Sequence, residues 1–429
     1  MSVPVEGLTP APAPPLMPGR LRAPATPPAI AVQGLFIVVG FVIAAFFPFL
    51  AIYLKGRDLD ETQIGFVIAS MAVARLIFLP LWGHFADTRL GRLTVLQVGT
   101  VGAALVGMVM NRVSGMVGIA AAMFILSIFM VSVGPNVDAI ALVHLGEDNM
   151  SDYGRIRGWE SLSYAAGCLV FGAILQVAGV TWAMPIYGIS SILVLGWSMT
   201  IKRDRPEDVP EHGKLGAVGA VFKEAPRFWG FLAAILIMWT GFNAAWNFLA
   251  IKIESGGGGP FLVGIGTAMG GFVEVFVMRW SSRLHRRLGL RSVYALGCGV
   301  YAMGFLLWGL IANPTIVAAL TVFEGAGFAL LFTTSVVVVG RLLPESLYSS
   351  GNSITGMVAF GIGPILGAGI GGYVYQHAGA TTLYVGASVL ALLGGFVAWF
   401  ALATPTLTFI GPDQLDVQMI EPTDTLRDL

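Results

Sequence analysis

Five ionisable side chains lie inside stretches that are otherwise almost entirely apolar: Arg75, Asp138, Glu160, Glu274 and Glu324. A charge at membrane depth costs about 3 kcal/mol or more, so such groups are usually paired or functional. Burial favours the neutral form of a carboxyl group, so an acid in this setting can take up and release a proton near neutral pH. These five residues are the first candidates for chemistry.

Glu324 is the strongest of the four acids. It lies near the middle of a long apolar stretch, with Gly325 and Gly327 beside it. We predict that it is a proton-coupling site; the alternative is a structural pairing with a distant cation or hydroxyl group. Glu274 is the second candidate for proton coupling. An internal repeat, described below, makes Glu274 equivalent to Arg75, and their opposite charges suggest an ion pair that is either a conformational latch or a plain structural bridge.

Asp138 follows Pro135 by three residues, at a point where proline removes a backbone hydrogen bond and bends the helix. Asp138 can bind a substrate or a cation, or it can hold Arg155 or Arg157 at the next loop. The pairing with an arginine is favoured because snorkelling arginines are close in sequence. Glu160 stands three residues after Arg157 on the same predicted helix, so a local pair is the default interpretation.

The composition identifies the elements that must position these residues. Of 429 residues, 56% are hydrophobic and 11% are charged, against roughly 25% charged in soluble domains. The mean hydropathy is +0.80. The net charge of zero gives no argument for nucleic acid, and no metal-ligand spacing or cofactor motif is present. No phosphate-binding loop and no catalytic constellation occurs, so neither ATP-driven transport nor an enzyme is expected. Cys168 and Cys298 lie in apolar stretches and are expected to be buried thiols.

Twelve apolar stretches are long enough to cross a bilayer, which takes about 20 residues. The fold class is therefore predicted to be an all-α polytopic membrane protein with twelve transmembrane helices in two homologous six-helix bundles. We expect a disordered cytoplasmic tail at 1–28, bundles at 29–201 and 227–403, a central cytoplasmic loop at 202–226 and a cytoplasmic tail at 404–429. The predicted helices are 29–54, 62–82, 93–111, 115–145, 156–179, 181–201, 227–252, 261–281, 290–312, 314–341, 350–376 and 381–403.

A repeat relates the two bundles. The sequence F-L-A-I occurs at Phe49–Ile52 and again at Phe248–Ile251, and Ile64–Gly65 matches Val263–Gly264 at the same offset of 199 residues. A collinear series of matches through helix, loop and helix indicates two homologous halves. The glycines Gly256–Gly259, in the loop between the seventh and eighth helices, have no counterpart in the first half, and their role stays open.

The distribution of lysine and arginine predicts the orientation, because cytoplasmic loops carry an excess of positive charge. With the N-terminus inside, the inner side holds far more of these residues than the outer side, so both termini are expected in the cytoplasm. The outer residues are Lys55, Arg57, Arg112 and Lys252. The inner residues include Arg89, Arg92, Arg155, Arg157, Arg283, Arg286, Arg287, Arg291, Arg341 and six in the central loop.

The charged turn after the second helix is similar to a loop motif of a known protein family. It reads G-H-F-A-D-T-R-L-G-R from Gly83 to Arg92 and resembles the loop motif of the major facilitator superfamily of transporters. It departs from that motif at Phe85 and Thr88. The sequences P-N-V-D-A-I-A-L from Pro135 and Y-G-R-I-R-G-W-E-S-L-S-Y from Tyr153 are similar to phenylpropionate permease-like transporters, which are related to oligosaccharide and nucleoside proton symporters.

The resemblance implies roles for several residues. Gly83, Asp87, Gly91 and Arg92 are expected to gate the cytoplasmic side, with the start of the eleventh helix near Ser349 and Ser350 as partner; the alternative is that Asp87 only fixes topology. In that superfamily the first, fourth, seventh and tenth helices line the cavity. The candidate substrate-binding residues are then Phe46, Phe47, Asn136, Asn243, Trp246 and Asn247.

The predicted function is proton-coupled symport of a small organic solute across a bacterial inner membrane, by alternating access. An aromatic acid is the first candidate substrate, and a sugar or nucleoside is the second. Proton-driven efflux of drugs or metabolites is the first alternative, and a non-transporting membrane sensor is a second, less favoured alternative. The expected partners are the solute, protons and lipid, and a monomer is expected.

Overall fold

The computed structural model describes residues 28–145, 153–201, 226–344 and 347–403, and within these ranges all regular structure is helical. The predictions for the N-terminal tail, for nearly all of the central loop and for the C-terminal tail lie outside the described residues. Ten helices in the described ranges are long and apolar enough to cross a membrane.

Two of these helices are about twice as long as a bilayer requires. Pro260–Leu310 has 51 residues and Ser350–Ala401 has 52, whereas about 20 residues cross the hydrocarbon core. Each is interrupted by one glycine with non-helical backbone angles, Gly289 (φ 77°, ψ 157°) and Gly379 (φ 84°, ψ 165°). A positive φ places little strain on glycine because it lacks a Cβ atom. Each long helix is therefore two membrane-spanning helices joined at a glycine.

Packing shows that both long helices fold back on themselves. Gly270 lies before the break at Gly289 and Tyr301 after it, yet both contact the same helix, Gly270 at Gly325 and Tyr301 at Gly327. In the second long helix, Gly367 before the break lies against Thr240, and Gly394 after it lies against Met238 of the same helix. The twelve helices are numbered in chain order. They are α1 (Ile30–Lys55), α2 (Glu61–Leu90), α3 (Arg92–Arg112), α4 (Met116–Leu145), α5 (Tyr153–Ala178), α6 (Val180–Ser198), α7 (Arg227–Ser255), α8 (260–288), α9 (290–310), α10 (Pro314–Leu342), α11 (350–378) and α12 (380–401).

Local sequence explains several helix ends. Asp60 begins α2 with a capping box: its carboxylate accepts from the backbone N of Gln63 at 2.8 Å, and its own backbone N donates to Gln63 Oε1 at 3.2 Å. In α1 the regular helix stops at Ile43 and a 3₁₀ turn follows at Phe47–Phe49. Pro48 in that turn has no backbone N–H to donate, so the interruption occurs where the sequence cannot continue an α-helix.

The two groups of six helices meet along two seams, α2 against α11 and α5 against α8. Small residues allow close approach there: a Cβ atom on Gly65 would clash with the carbonyl oxygen of Ala368, and one on Gly264 would clash with that of Cys168. Two hydrogen bonds add to these seams. The backbone N of Glu61 donates to Gln376 Oε1 at 3.2 Å, and the backbone N of Phe261 donates to Gln176 Oε1 at 3.3 Å.

All of these contacts lie at one end of the bundle, which we call the Lys55 end. At the opposite end, called the Asp87 end, the same helices are apart. A Cβ atom placed on Gly83 of α2, or on Gly154 or Gly158 of α5, would meet no other atom within 4 Å. The structure is therefore closed at the Lys55 end and open at the Asp87 end.

Candidate functional site

A cavity of about 280 Å³ lies between the two groups of helices. A second cavity of about 170 Å³ adjoins it, and the two share Phe47, Met71, Arg75 and Ser127. The larger cavity is lined by residues of α1, α2, α4, α7, α8, α10 and α11, so its shape depends on both halves. A site at such an interface can be exposed to either side when the halves tilt.

Aromatic rings form much of the wall of the larger cavity. Phe242 and Trp246 of α7 are stacked, with centroids 6.0 Å apart and an interplanar angle of 13°. Phe47 and Phe360 add rings from α1 and α11. The interrupted helix at Pro48 leaves Phe47 at the cavity, 49% exposed. These rings suit a planar or apolar part of a ligand.

The polar lining is sparse. Three lining hydroxyl groups donate to backbone carbonyl oxygens: Ser127 to Met71 at 2.8 Å, Thr267 to Val263 at 3.0 Å and Thr321 to Gly266 at 2.7 Å. Their hydrogen atoms are therefore already used within the protein, and each hydroxyl can offer a ligand only an acceptor.

Arg75 is the one charged residue that lines the cavities described here, and it lines both. Its side chain is exposed to this space, and no hydrogen bond or acidic partner within 4 Å is found for it in the described part of the chain. A guanidinium group carries five N–H donors in a planar fork that fits a carboxylate. The cavity thus places one unpaired cation opposite a set of aromatic rings.

The larger cavity is lined by the three residues of α7 that were predicted to bind substrate: Asn243, Trp246 and Asn247. The amide of Asn243 donates from Nδ2 to the carbonyl oxygen of Trp239 at 2.7 Å, which leaves its side-chain oxygen as an acceptor. Asn247 Nδ2 is buried and has no hydrogen-bond partner among the residues that the structure describes. A buried donor without a partner is costly, so a ligand acceptor at this position would be stabilised.

Two other predicted liners are placed differently. Phe46 is fully buried and lines the smaller cavity, where its ring contacts Tyr187 at 5.5 Å between centroids. Asn136 lines neither cavity; its Nδ2 donates to the carbonyl oxygen of Ser132 at 2.6 Å. The neighbouring Gly134 and Pro135 line the smaller cavity instead, because adjacent residues of a helix point in different directions.

The two acids predicted to bind protons lie beside the cavity rather than in its lining. Glu324 is one helical turn beyond Thr321, which lines the larger cavity. The carboxylate of Glu324 faces α8, where its Oε2 would be 3.0 Å from a Cβ atom on Gly270. Glu324 and Glu274 interact electrostatically with each other, and Tyr164 of α5 and Tyr301 of α9 interact with both.

The predicted ion pair between Arg75 and Glu274 is not formed in this structure. Arg75 is on α2, which packs against α11, whereas Glu274 is on α8, which packs against α5. A rotation relates the two halves, so it carries Arg75 in the α2–α11 seam to Glu274 in the α5–α8 seam. The two residues are equivalent in the repeat but are not in contact. The cation that acts on Glu274 is Arg157 of α5.

The structure brings Asp138 and Arg157 together, with Arg157 Nε 3.4 Å from Asp138 Oδ1. Tyr153 also donates to Asp138 Oδ1, at 2.8 Å. Glu160 interacts electrostatically with Arg157, but in the described part of the chain the two make no ion pair within 4 Å. Asp138 of α4 therefore contacts the start of α5 and does not line either cavity.

The predicted gating motif forms the turn between α2 and α3. Gly91 has a φ of 77°, and Asp87 Oδ1 lies 3.7 Å from the Nε atom of Arg92. Arg92 is buried and donates to the carbonyl oxygen of Ala139 at 3.2 Å. In the described part of the chain, no hydrogen bond or ion pair joins Asp87 to Ser350, and the side chain of Ser349 lies outside the described residues.

Sequence reasoning missed several cavity residues. Phe360, Ser127 and Thr267 gave no local signal, because single aromatic or hydroxyl residues are common in membrane helices. Arg75 did give a signal, its charge, but the repeat led us to assign it to an ion pair. Its position in the cavity followed only from the packing.

A bundle of twelve membrane-length helices around a cavity between its halves is the architecture of a multi-pass membrane transporter. The chain belongs to the major facilitator superfamily, since the profile of the MFS_1-like family matches residues 30–385. It is therefore a transporter and not an enzyme.

Several relatives extend this result. The chain is 25% identical to the maltose permease of Geobacillus stearothermophilus over 373 residues, covering 84% of this chain and 91% of the permease. It is 24% identical to the probable 3-phenylpropionic acid transporter of Escherichia coli (strain K12) over 364 residues, covering 81% of this chain and 92% of that protein. The crystal structure of the nucleoside transporter NupG superimposes with a TM-score of 0.78 at 15% identity, covering 88% of this chain and all of NupG.

Proposed function

We propose that this protein is a proton-coupled symporter for a small organic acid that carries an aromatic or other apolar group. The observation that carries this proposal is Arg75, which has no acidic partner within 4 Å among the described residues and lies in a cavity whose wall is largely aromatic. A carboxylate pairs with the guanidinium group, while its apolar part contacts Phe242 and Trp246. The similarity to a probable 3-phenylpropionic acid transporter agrees with this substrate class.

Proton coupling rests on Glu324, with Glu274 as a second site. A negatively charged solute is favoured by Arg75 but opposed by acids nearby, so protonation of those acids assists its binding. Release of the proton to the other side then weakens binding and returns the carrier. The proximity of Glu324 to the lining residue Thr321 supports this connection.

We further propose that the Asp87 end faces the cytoplasm of a bacterial cell and that both termini lie on that side. The excess of arginine near the Asp87 end supports this orientation. In this orientation the conformation described here is open to the cytoplasm, the state in which an importer releases its solute. Net direction in the cell depends on the gradients, because symport is reversible.

A sugar is the second candidate. It is favoured by the similarity to a maltose permease, by the side-chain oxygen of Asn243 as an acceptor and by Nδ2 of Asn247 as a donor. A neutral sugar uses such amides through its hydroxyl groups but leaves Arg75 without a counter-ion. The charge in the cavity therefore favours the organic acid.

The test is solute-triggered proton movement in liposomes containing the purified protein. The solutes are 3-phenylpropionate, maltose and uridine, and the variants are Glu324→Gln and the control Glu254→Gln. Glu254 is an acid of α7 close to the Lys55 end, so its replacement removes a carboxylate without touching the cavity lining.

We expect 3-phenylpropionate to drive inward proton flux in the wild-type protein and in Glu254→Gln, but not in Glu324→Gln. If maltose alone drives proton flux, the substrate is a sugar and not an organic acid. Solute uptake without proton movement, or equal flux in Glu324→Gln, would overturn the coupling role of Glu324.

A further inference from the structure

Arg157 occupies a position between acids of both halves. On its own side it makes an ion pair with Asp138 at 3.4 Å, and its side chain is 51% exposed. Across the seam it interacts electrostatically with Glu274 of α8. At this level the seam is open, since a Cβ atom on Gly158 would have no neighbour within 4 Å.

The packing at the Lys55 end fixes the register of the α5–α8 seam. Gly264 lies against Cys168, and Pro260 lies against Gly172, so the two helices run antiparallel. Continuing this register by the same number of residues along both helices places Glu274 level with Gly158, the neighbour of Arg157. Closure of the Asp87 end therefore brings Arg157 and Glu274 toward each other.

We propose that Arg157 leaves Asp138 and pairs with ionised Glu274 when the Asp87 end closes, so that this ion pair between the halves forms only when Glu274 carries no proton. The proposal rests on the alternating-access function proposed above. It assigns Arg157 as a positioning residue that makes closure depend on the protonation of Glu274.

The surroundings of Glu274 permit this dependence. The titratable or charged groups that interact electrostatically with it are Arg157 and Tyr164 from α5, Glu324 from α10 and Tyr301 from α9. Of these, Arg157 is the one cation. A shift of Arg157 toward Glu274 therefore strengthens an attraction that exists only while Glu274 is ionised.

The test measures the separation of α5 and α8 at the Asp87 end by electron-spin distance measurements in lipid nanodiscs. Spin labels are attached at Gly154→Cys and Trp280→Cys in a background with Cys168→Ser and Cys298→Ser. We expect the ratio of short to long distances to rise about tenfold from acidic to alkaline pH, the range expected for one charge-assisted contact. Glu274→Gln and Arg157→Gln should each abolish this rise.

Two further variants keep the test decisive. Asp138→Asn leaves the proposed pair intact but removes the competing acid, so it should increase the short distances at alkaline pH, where Glu274 is ionised. Glu160→Gln is the matched control, because it removes an acid one turn from Arg157 on the same helix, and the pH response should persist. The exchange Arg157→Glu with Glu274→Arg should again give short distances at alkaline pH, because the ion pair is kept with its two charges exchanged.

A pH response that survives in Glu274→Gln, or Asp138→Asn without effect, overturns the inference. Solute-driven proton flux measured on the unlabelled wild-type protein separates this failure from failure of the proposed function. If flux occurs but the pH response of the distances is unchanged in Glu274→Gln, the ion-pair inference alone is wrong. If the wild-type protein moves no protons, the symport proposal is wrong, whatever the distances show.

Discussion

At the scale of single residues, the chemistry of this protein depends on how few polar groups reach the cavity. The hydroxyl groups of Ser127, Thr267 and Thr321 are engaged with backbone carbonyls, which leaves Arg75 and the amides of α7 to recognise a ligand. Arg75 is the one charged residue lining these cavities in the described part of the chain, so selectivity for an anion follows from electrostatics, and the aromatic rings select its apolar part.

The first prediction concerns Arg75. Arg75→Gln should weaken binding of 3-phenylpropionate at least about tenfold, because a hydrogen-bonded ion pair is lost, and Arg75→Lys should recover part of the affinity. Isothermal titration calorimetry on the purified variants measures this. As a control, the uncharged 3-phenylpropanamide should bind the wild-type protein and Arg75→Gln with similar affinity. An equal loss of affinity for the acid and the amide would show that Arg75 does not act through its charge.

A second prediction at this scale concerns the aromatic wall. Trp246→Ala should weaken binding of the same acid by a factor of about 5, since stacking contacts of this kind contribute about 1 kcal/mol. Trp399→Ala is the matched control, because Trp399 packs against Arg291 at 3.8 Å, away from the cavity lining. The same calorimetric titration compares them, and an equal loss in both variants would argue against a role for the Trp246 ring in recognition.

At the scale of helices, small residues decide how closely the two halves approach. Gly65, Gly172, Gly264 and Gly372 lie in the α2–α11 and α5–α8 seams, where any Cβ atom would meet backbone atoms. Without a hydrophobic driving force between helices in lipid, such close packing is a main source of association. These glycines therefore stabilise the conformation that is closed at the Lys55 end.

Gly264→Ala should shift the protein away from that conformation, because the added methyl group clashes with the carbonyl oxygen of Cys168. The measurement is labelling of Ser127→Cys, in the cavity, by a membrane-impermeant maleimide added from the Lys55 side; about tenfold faster labelling is expected for a change of about 1.4 kcal/mol. Gly271→Ala on the same helix, where no atom lies within 4 Å, should leave the rate unchanged. Similar rates in both variants would contradict the role of the seam.

The whole molecule has two ends with different contacts, and this asymmetry defines its conformation. Two hydrogen bonds and close glycine contacts join the halves at the Lys55 end, whereas α2 and α5 have open space at the Asp87 end. A carrier with one closed and one open end is in one of the two states of alternating access. The opposite state requires the seams to close where Asp87, Arg157 and Glu274 lie.

The orientation of the molecule can be tested with single cysteines. Ser114→Cys lies near the Lys55 end and Thr88→Cys near the Asp87 end, and both positions are exposed. In intact cells an impermeant maleimide should label Ser114→Cys but not Thr88→Cys, which should react only after the membrane is made permeable. Cys168 and Cys298 are buried and give a low background. The reverse pattern would invert the proposed topology.

Hydropathy alone determined that this is a polytopic helical protein, because the cost of burying charge and unpaired backbone groups in lipid leaves few alternatives. The internal repeat and the charged turn at Asp87 pointed to the superfamily, and both the superfamily and the fold class are confirmed. The sequence also singled out Glu324, Glu274 and the asparagines of α7, since charge and amide groups are conspicuous among apolar residues; their roles stay predictions.

Only the tertiary structure decided which of these residues meet. Arg75 and Glu274 are equivalent in the repeat, yet they lie in different seams, because a rotation relates the halves and does not superimpose neighbouring helices. The packing of Cys168 against Gly264 fixes a register in which Gly158, the neighbour of Arg157, is level with Glu274. Periodicity assigns a residue to a helix, but its partner across the cavity depends on how separate helices pack, and that information is not local in the chain.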